Sequence, residues 1–237
     1  TGVKDSAYYW NELNKFVIKY CELKRVCPTL DTIDIGGGFP FKSTLGFNYD
    51  YEGMIHMIIQ TVKNACEKYN VPVPNLITEF GSFTVSESGA TIFSILDTKL
   101  QNDKELWYMI DGSFINNLPD TWAIGQHFIM LGINNWDQSY KRVHLGGLTC
   151  DSKDYYHSED NNVQIFLPEI PKNQHQYIGF FHTGAYQEVL GGLGGLQHCL
   201  VPSPKHIVID KDESGEITAK EFCAEQNPAQ VLSILGH

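Results

Sequence analysis

The sequence predicts an α/β half followed by a mostly antiparallel β half, and three observations carry that expectation. Two helix-period segments alternate with two short β-branched segments before residue 88, and separate strand-like segments dominate after about residue 90. A hydrophobic content of 42% supplies a core for both halves. The boundary is placed near residue 88, dividing the 237-residue chain into 1–88 and 89–237.

Residues 6 to 24 place Trp10, Leu13, Phe16, Val17, Tyr20 and Leu23 at spacings of three and four, an amphipathic helix that Pro28 ends. Thr32-Ile33-Asp34-Ile35 reads as a strand running into Gly36-Gly37-Gly38, where the backbone must pass close to something. A second helix starts at the N-cap Asp50, with Tyr51, Met54, Ile55, Ile58, Ile59, Val62 and Cys66 on one side. After Pro72 and Pro74, Leu76-Ile77-Thr78-Glu79 is the next strand. Two strands separated by a helix of this length pair in parallel through a right-handed crossover. Beyond residue 90, β segments are expected at 90–96, 106–110, 142–145, 163–167, 177–181 and 206–210. Helices are expected only at 185–190 and 228–235, with a short turn over Gly191 to Gly195.

Composition excludes several function classes. The charge sum, 17 minus 28, is −11, the only arginines are Arg25 and Arg142 and the 15 lysines are scattered rather than massed, so nucleic acid is not an expected partner. The apolar runs at Met54 to Ile59 and Ile178 to Phe181 fall far short of the roughly 20 residues of a membrane span. The six cysteines have no paired or CxxC spacing, which argues against a zinc site and a disulfide framework. With no basic or apolar leader in Thr1-Gly2-Val3-Lys4, a cytoplasmic protein is expected.

Several residues could carry chemistry. A triple glycine after a strand lets backbone amides converge on an anion, although a tight turn uses glycine equally well. The dinucleotide fingerprint is absent, because Phe39 and Pro40 follow. Glu79, with Phe80-Gly81-Ser82 behind it, puts a carboxylate and a second small-residue loop at the same strand end. In a (β/α) barrel, phosphate loops and catalytic groups occupy that rim. Cys150-Asp151 follows Gly146-Gly147-Leu148-Thr149; by itself a free cysteine is usually a small buried hydrophobe. Tyr186 and Asp120, taken alone, read as an amphipathic core residue and a turn cap. Residues 210 to 221 reproduce EF-hand calcium-loop spacing. Their flank, His206-Ile207-Val208-Ile209, is β-branched, so a hairpin turn around Glu213 to Gly215 is expected instead. No histidine has ligand spacing, and no metal site is expected.

In order along the chain come Asp34 to Pro40 (DIGGGFP), Ile77 to Phe83 (ITEFGSF), Asp111 to Phe114 (DGSF), Leu118 to Trp122 (LPDTW), Leu148 to Ser152 (LTCDS) and Phe180 to Gly191 (FFHTGAYQEVLG). This succession resembles the fold-type III decarboxylases that use pyridoxal 5'-phosphate, and most of all the biosynthetic arginine decarboxylases. The resemblance implies the last part of a (β/α)8 barrel followed by the β domain. It also implies decarboxylation of a basic amino acid, with L-arginine to agmatine and CO2 in polyamine and spermidine biosynthesis leading, and ornithine or diaminopimelate as alternatives. Gly36, Gly37, Gly38, Gly81 and Ser82 would hold the cofactor phosphate together with the Tyr186 hydroxyl, and Glu79 would face the pyridine nitrogen. Cys150 would return a proton to the substrate, reaching the partner subunit's site in a homodimer, and Asp151 and Asp120 would receive the substrate's distal cation. Magnesium is carried as a further candidate ion.

Two departures from the family pattern accompany the resemblance. The family has arginine at Ser82 and often proline or serine at Phe80. Its Schiff-base lysine lies on an early barrel strand, whereas only Lys4, Lys15, Lys19 and Lys24 precede the triple glycine here, none in a strand context. The early barrel strands are therefore expected to be missing from these residues, and turnover by the chain alone is not expected. A non-catalytic regulatory relative is the reading from a different class.

Overall fold

The protein is described by a computed structural model, which covers residues 6–156, 164–190, 196 and 198–237. It divides into two compact units, Thr1–Ser88 and Gly89–His237. Lys4, Val163 and the turn expected over Gly191 to Gly195 lie outside the described residues.

The first unit runs α1 (Ser6–Val26), β1 (Thr32–Asp34), α2 (Tyr51–Tyr69), β2 (Asn75–Ile77) and the short α3 (Gly81–Val85). The two strands pair in parallel, Thr32 opposite Asn75 and Asp34 opposite Ile77. Asp50 caps α2 by accepting the Gly53 N–H at 2.9 Å, and a Cβ on Gly53 would lie 2.2 Å from the Asp50 carboxylate. At the other end Asn70 takes the left-handed conformation, φ 54°, that closes a helix. Met54, Ile58, Val62 and Cys66, four residues apart, form the buried stripe of α2 and meet Leu13, Val17, Tyr20 and Cys21 of α1 over Ile33. The Tyr20 hydroxyl donates to the Pro72 carbonyl at 2.9 Å, tying α1 to the approach to β2.

The second unit holds a seven-stranded sheet of β3 (Ala90–Gln101), β4 (Glu105–Ile110), β5 (Ile129–Gly132), β6 (Tyr140–Gly146), β7 (Tyr155–Tyr156), β8 (Ile165–Pro168) and β9 (Tyr177–Phe181). Its order is β5-β9-β3-β4-β6-β7, with β8 also on β6. All pairs are antiparallel except β4 with β6. β3 pairs first with β9 and then with β4, and the change of partner falls at an irregularity between Ile95 and Asp97. Phe93, Ile110, Phe114, Leu145, Ile178 and Phe180 fill the core beneath it. The α4 (Phe114–Asn117) and α5 (Pro119–Ala123) turns follow β4, and β10 (His206–Lys211), β11 (Ile217–Cys223) and α6 (Pro228–Ile234) end the chain.

Two differences from the sequence expectation stand out, and one expectation, the hairpin over 210–221, is met. Residues 185–190 are bends and turns, not a helix, because Tyr186 sits at φ 66° and the Gln187 side chain is drawn to Asp120. The short elements α3, α4, α5, β5 and β7 were not expected, since two to five residues carry too little periodicity to be read. The 210–221 segment is the β10–β11 hairpin: Asp212 accepts from the Ser214 and Glu216 amides, and Gly215 supplies the positive φ of the turn. Those bonds hold the Asp212 carboxyl below its ordinary value, the Ser214 side chain contributing most.

Candidate active site

The first unit gathers Gly36, Gly37, Gly38, Glu79, Gly81 and Ser82 at the carboxyl ends of its two parallel strands. The ladder continues past the strands, the Ile35 N–H donating to the Ile77 carbonyl at 3.0 Å and the Glu79 N–H to the Gly36 carbonyl at 2.9 Å. So close is this approach that a Cβ on Gly37 would lie 2.4 Å from the Glu79 carbonyl oxygen. Gly36 and Gly38 have φ 71° and 88°, and the Gly36 N–H donates to Asp34 Oδ1 at 2.8 Å. Phe39 is buried and stacks on Phe80 at 4.2 Å, with Phe83 edge-on at 5.2 Å, so the glycine loop is pinned to the turn after β2. Phe80, a departure in sequence, thus has a packing role. Among the described residues the amides of Gly37 and Gly38 have no partner, whereas that of Gly81 donates to the Glu79 carbonyl at 2.8 Å. The Glu79 side chain is exposed, and a cavity of about 370 Å³ lined by Tyr9, Glu12, Leu13, Phe16, Asp34, Ile35 and Gly37 opens beside the loop.

The lysines of α1 take no part in this arrangement. Lys15 and Lys19 pair with Glu12 and Glu22 on the helix surface, and Lys24 donates to the Pro28 carbonyl.

In the second unit the loop carrying Cys150 and Asp151 is organised by Asp154, a residue 5% exposed. Its carboxylate accepts from the Phe114 N–H at 2.8 Å, the Thr149 N–H at 3.0 Å and the Thr149 hydroxyl at 2.7 Å. Its carbonyl accepts from Gly147 N–H at 2.8 Å, and a Cβ on Gly147 would lie 2.3 Å from the Asp154 carboxylate. Cys150 is left exposed at the tip, with the Cys199 thiol as its neighbour; desolvation, then Cys150, pushes the Cys199 thiol up. The Asp151 carboxylate accepts the Lys153 N–H at 2.8 Å and faces His198 Nε2 at 3.1 Å.

Asp120 stands in the first turn of α5, where Gln187 Nε2 donates to its Oδ2 at 2.8 Å. That bond joins the LPDTW segment to the GAYQ segment, whose Tyr186 is 52% exposed. Gly112, in DGSF, is required by crowding: a Cβ there would lie 2.6 Å from the Phe93 ring. Burial pushes the Asp111 carboxyl of the same segment up, against the lowering bond from the Ser94 N–H.

The sequence reading missed Asp154, Asn116, Gln187, His198 and Cys199. Asp154 and Gln187 lie close along the chain to residues that were singled out, so proximity was a usable signal. His198 and Cys199 reach the Cys150 loop across some fifty residues and had none.

No protein-family model matches the chain. It is similar to the biosynthetic arginine decarboxylase of Prochlorococcus marinus (strain MIT 9215), at 22% identity over 99% of this chain and 53% of the relative. The chain therefore spans about half the length of the curated relatives it matches. Among solved structures it superposes on the biosynthetic arginine decarboxylase SpeA from Campylobacter jejuni with a TM-score of 0.78, at 20% identity over 97% of this chain and 52% of that one. Diaminopimelate decarboxylase from M. jannaschii in complex with L-lysine gives a TM-score of 0.75, at 17% identity over 99% of this chain and 49% of that one. SrLDC in complex with PLP and cadaverine gives 0.60, at 20% identity over 78% of this chain and 45% of that one. The chain has the fold found in these decarboxylases, and its sequence is similar to biosynthetic arginine decarboxylases.

Proposed function

We propose that these residues form the later part of a pyridoxal-phosphate-dependent decarboxylase of basic amino acids, with L-arginine, giving agmatine and CO2, as the leading substrate. The observation that carries the reading is the meeting of the Gly36–Gly38 loop with Glu79 at one end of a parallel strand pair, in a chain with this fold. In the same reading the first unit is the closing portion of a (β/α)8 barrel, and the protein works as a cytoplasmic homodimer with its site shared between subunits.

The residues present suit the cofactor. The amides of Gly37 and Gly38 have no other partner among the described residues and are free to donate to an anion. In this reading Gly36, Gly81 and Ser82 would complete the set for the phosphate, with the Tyr186 hydroxyl assigned to it by the resemblance alone. Glu79, whose side chain is exposed, would face the pyridine nitrogen, where a nearby anion would favour the protonated form. The bound cofactor supplies an electron sink for the pair left when CO2 departs. Cys150 would hold the thiol proton that returns to the carbon that lost CO2, and its exposed place at a loop tip leaves it able to reach a substrate. Asp120 and Asp151 bind the distal guanidinium or ammonium, charge-assisted contacts that a neutral side chain would forgo.

The test is CO2 release by the protein expressed with whatever coding sequence precedes these residues, supplied with cofactor and offered arginine, ornithine, lysine and meso-diaminopimelate in parallel. Release from arginine alone, lost in Cys150→Ala and Asp120→Ala, is the expected result. Cofactor bound but no release from any of the four would favour the non-catalytic relative, for which the Ser82 departure is the motive.

A further inference from the structure

Asn116, 1% exposed in α4, makes three hydrogen bonds to the stretch around His198. Its carbonyl accepts the Leu196 N–H at 3.4 Å, its Oδ1 accepts the His198 N–H at 3.1 Å, and its Nδ2 donates to the Cys199 carbonyl at 2.9 Å. The backbone on both sides of His198 is therefore fixed to the buried turn that follows β4. From that anchor the His198 ring reaches Asp151, with 3.1 Å between Nε2 and Oδ2, the two side chains being 41% and 28% exposed. The other Asp151 oxygen is already held by the Lys153 N–H.

We propose that His198 is a positioning residue that sets the substrate preference of this site by aiming the Asp151 carboxylate at the substrate's distal cation. The inference rests on the role given to Asp151 above and goes beyond it by assigning the group that orients it. A carboxylate at the tip of a half-exposed loop has its own rotamer freedom, and recognition of a cation requires that freedom to be removed before binding. An imidazole can do this without a permanent charge of its own: in its neutral form the ring would donate one hydrogen bond to the carboxylate without neutralising it. A lysine at the same place would hold the carboxylate but neutralise it. Asn116 fixes the backbone from which the ring projects, so the imidazole reaches Asp151 from a set position.

The experiment compares wild type with His198→Ala, His198→Gln and His198→Lys in the full-length protein, reading kcat and KM for arginine and, by calorimetry, the affinity for agmatine. The expected result is a KM for arginine raised about fivefold to tenfold in His198→Ala with kcat within about twofold, a loss of uniform binding. Agmatine affinity should weaken by the same factor. His198→Gln, whose Nε2 can donate to the same oxygen, should recover most of the affinity, and His198→Lys should bind agmatine more weakly than His198→Ala. An unchanged KM in His198→Ala, a fall in kcat alone, or a His198→Gln no better than His198→Ala would overturn the proposal while leaving the decarboxylase reading intact. A wild type inactive on all basic amino acids would overturn both.

Discussion

Asp154 and Thr149 close the Cys150 loop between them: one carboxylate oxygen of Asp154 accepts both the N–H of Thr149, at 3.0 Å, and its hydroxyl, at 2.7 Å. The second oxygen takes the Phe114 N–H at the start of α4, so a single buried carboxylate sets both the loop and the turn that carries Asn116. Asp154→Ala leaves two amides and a hydroxyl without their acceptor in a nearly closed environment, and the expected loss is about 2–4 kcal/mol of stability. Urea denaturation followed by fluorescence measures it. A midpoint within error of wild type would show that the carboxylate is replaceable by water.

Gly37 and Gly36 separate two kinds of glycine requirement on one loop. Gly37→Ala sets a methyl 2.4 Å from the Glu79 carbonyl oxygen, so the two strand ends must part and the amides and carboxylate that would bracket the cofactor lose their spacing. Gly36→Ala meets nothing within 4 Å and carries only the strain of φ 71°, about 1 kcal/mol. Cofactor affinity, read by absorbance titration, should fall about tenfold or more for Gly37→Ala, equivalent to roughly 1.4 kcal/mol. A smaller loss is expected for Gly36→Ala. The reverse order would remove Gly37 from the site.

Much of this was legible in the sequence where periodicity was long. α1 and α2 were readable because an apolar residue recurs every three or four positions over five turns, and β1 and β2 because β-branched runs stop at glycine or proline. The 185–190 segment misled because Ala185, Val189 and Leu190 carry helical spacing while Tyr186 occupies a left-handed conformation, a local choice fixed by the long-range bond from Gln187 to Asp120. The same reason hid His198: its partner is 47 residues away in sequence, and Asn116, which fixes it, is 82 away. Motif order could locate Cys150 and Asp151 but not the neighbours that orient them.

The thiols should divide by exposure. Cys27 and Cys150 are exposed, whereas Cys21 and Cys66 are fully buried and Cys199 has its thiol pushed up beside Cys150. Brief treatment of the native protein with iodoacetamide at neutral pH should modify Cys27 and Cys150 ahead of Cys199, and Cys21 and Cys66 only after unfolding. Peptide mass spectrometry reads the order. Early modification of Cys66 would mean that α1 and α2 part readily, and the packing described for the first unit would then need revision.

Cys66 also gives the first unit a pH dependence. Burial first, and then the neighbouring Cys21 thiol, push the Cys66 thiol from its ordinary 9.0 up to about 11. The folded chain therefore keeps a proton that the unfolded chain releases in that interval. With fewer protons on the unfolded state, stability declines as pH rises, at up to about 1.4 kcal/mol per pH unit, and below the unfolded value this group contributes no slope. Lysines and tyrosines titrate in the same range, so the measurement is a difference: denaturation of wild type and Cys66→Ala at pH 8, 9 and 10. Cys66→Ala should start less stable, because it opens a small cavity between α1 and α2, and should then lose less stability between pH 9 and 10 than wild type. Parallel curves would mean that the Cys66 thiolate is tolerated inside the fold, and that the contact between the two helices is looser than its zero exposure implies.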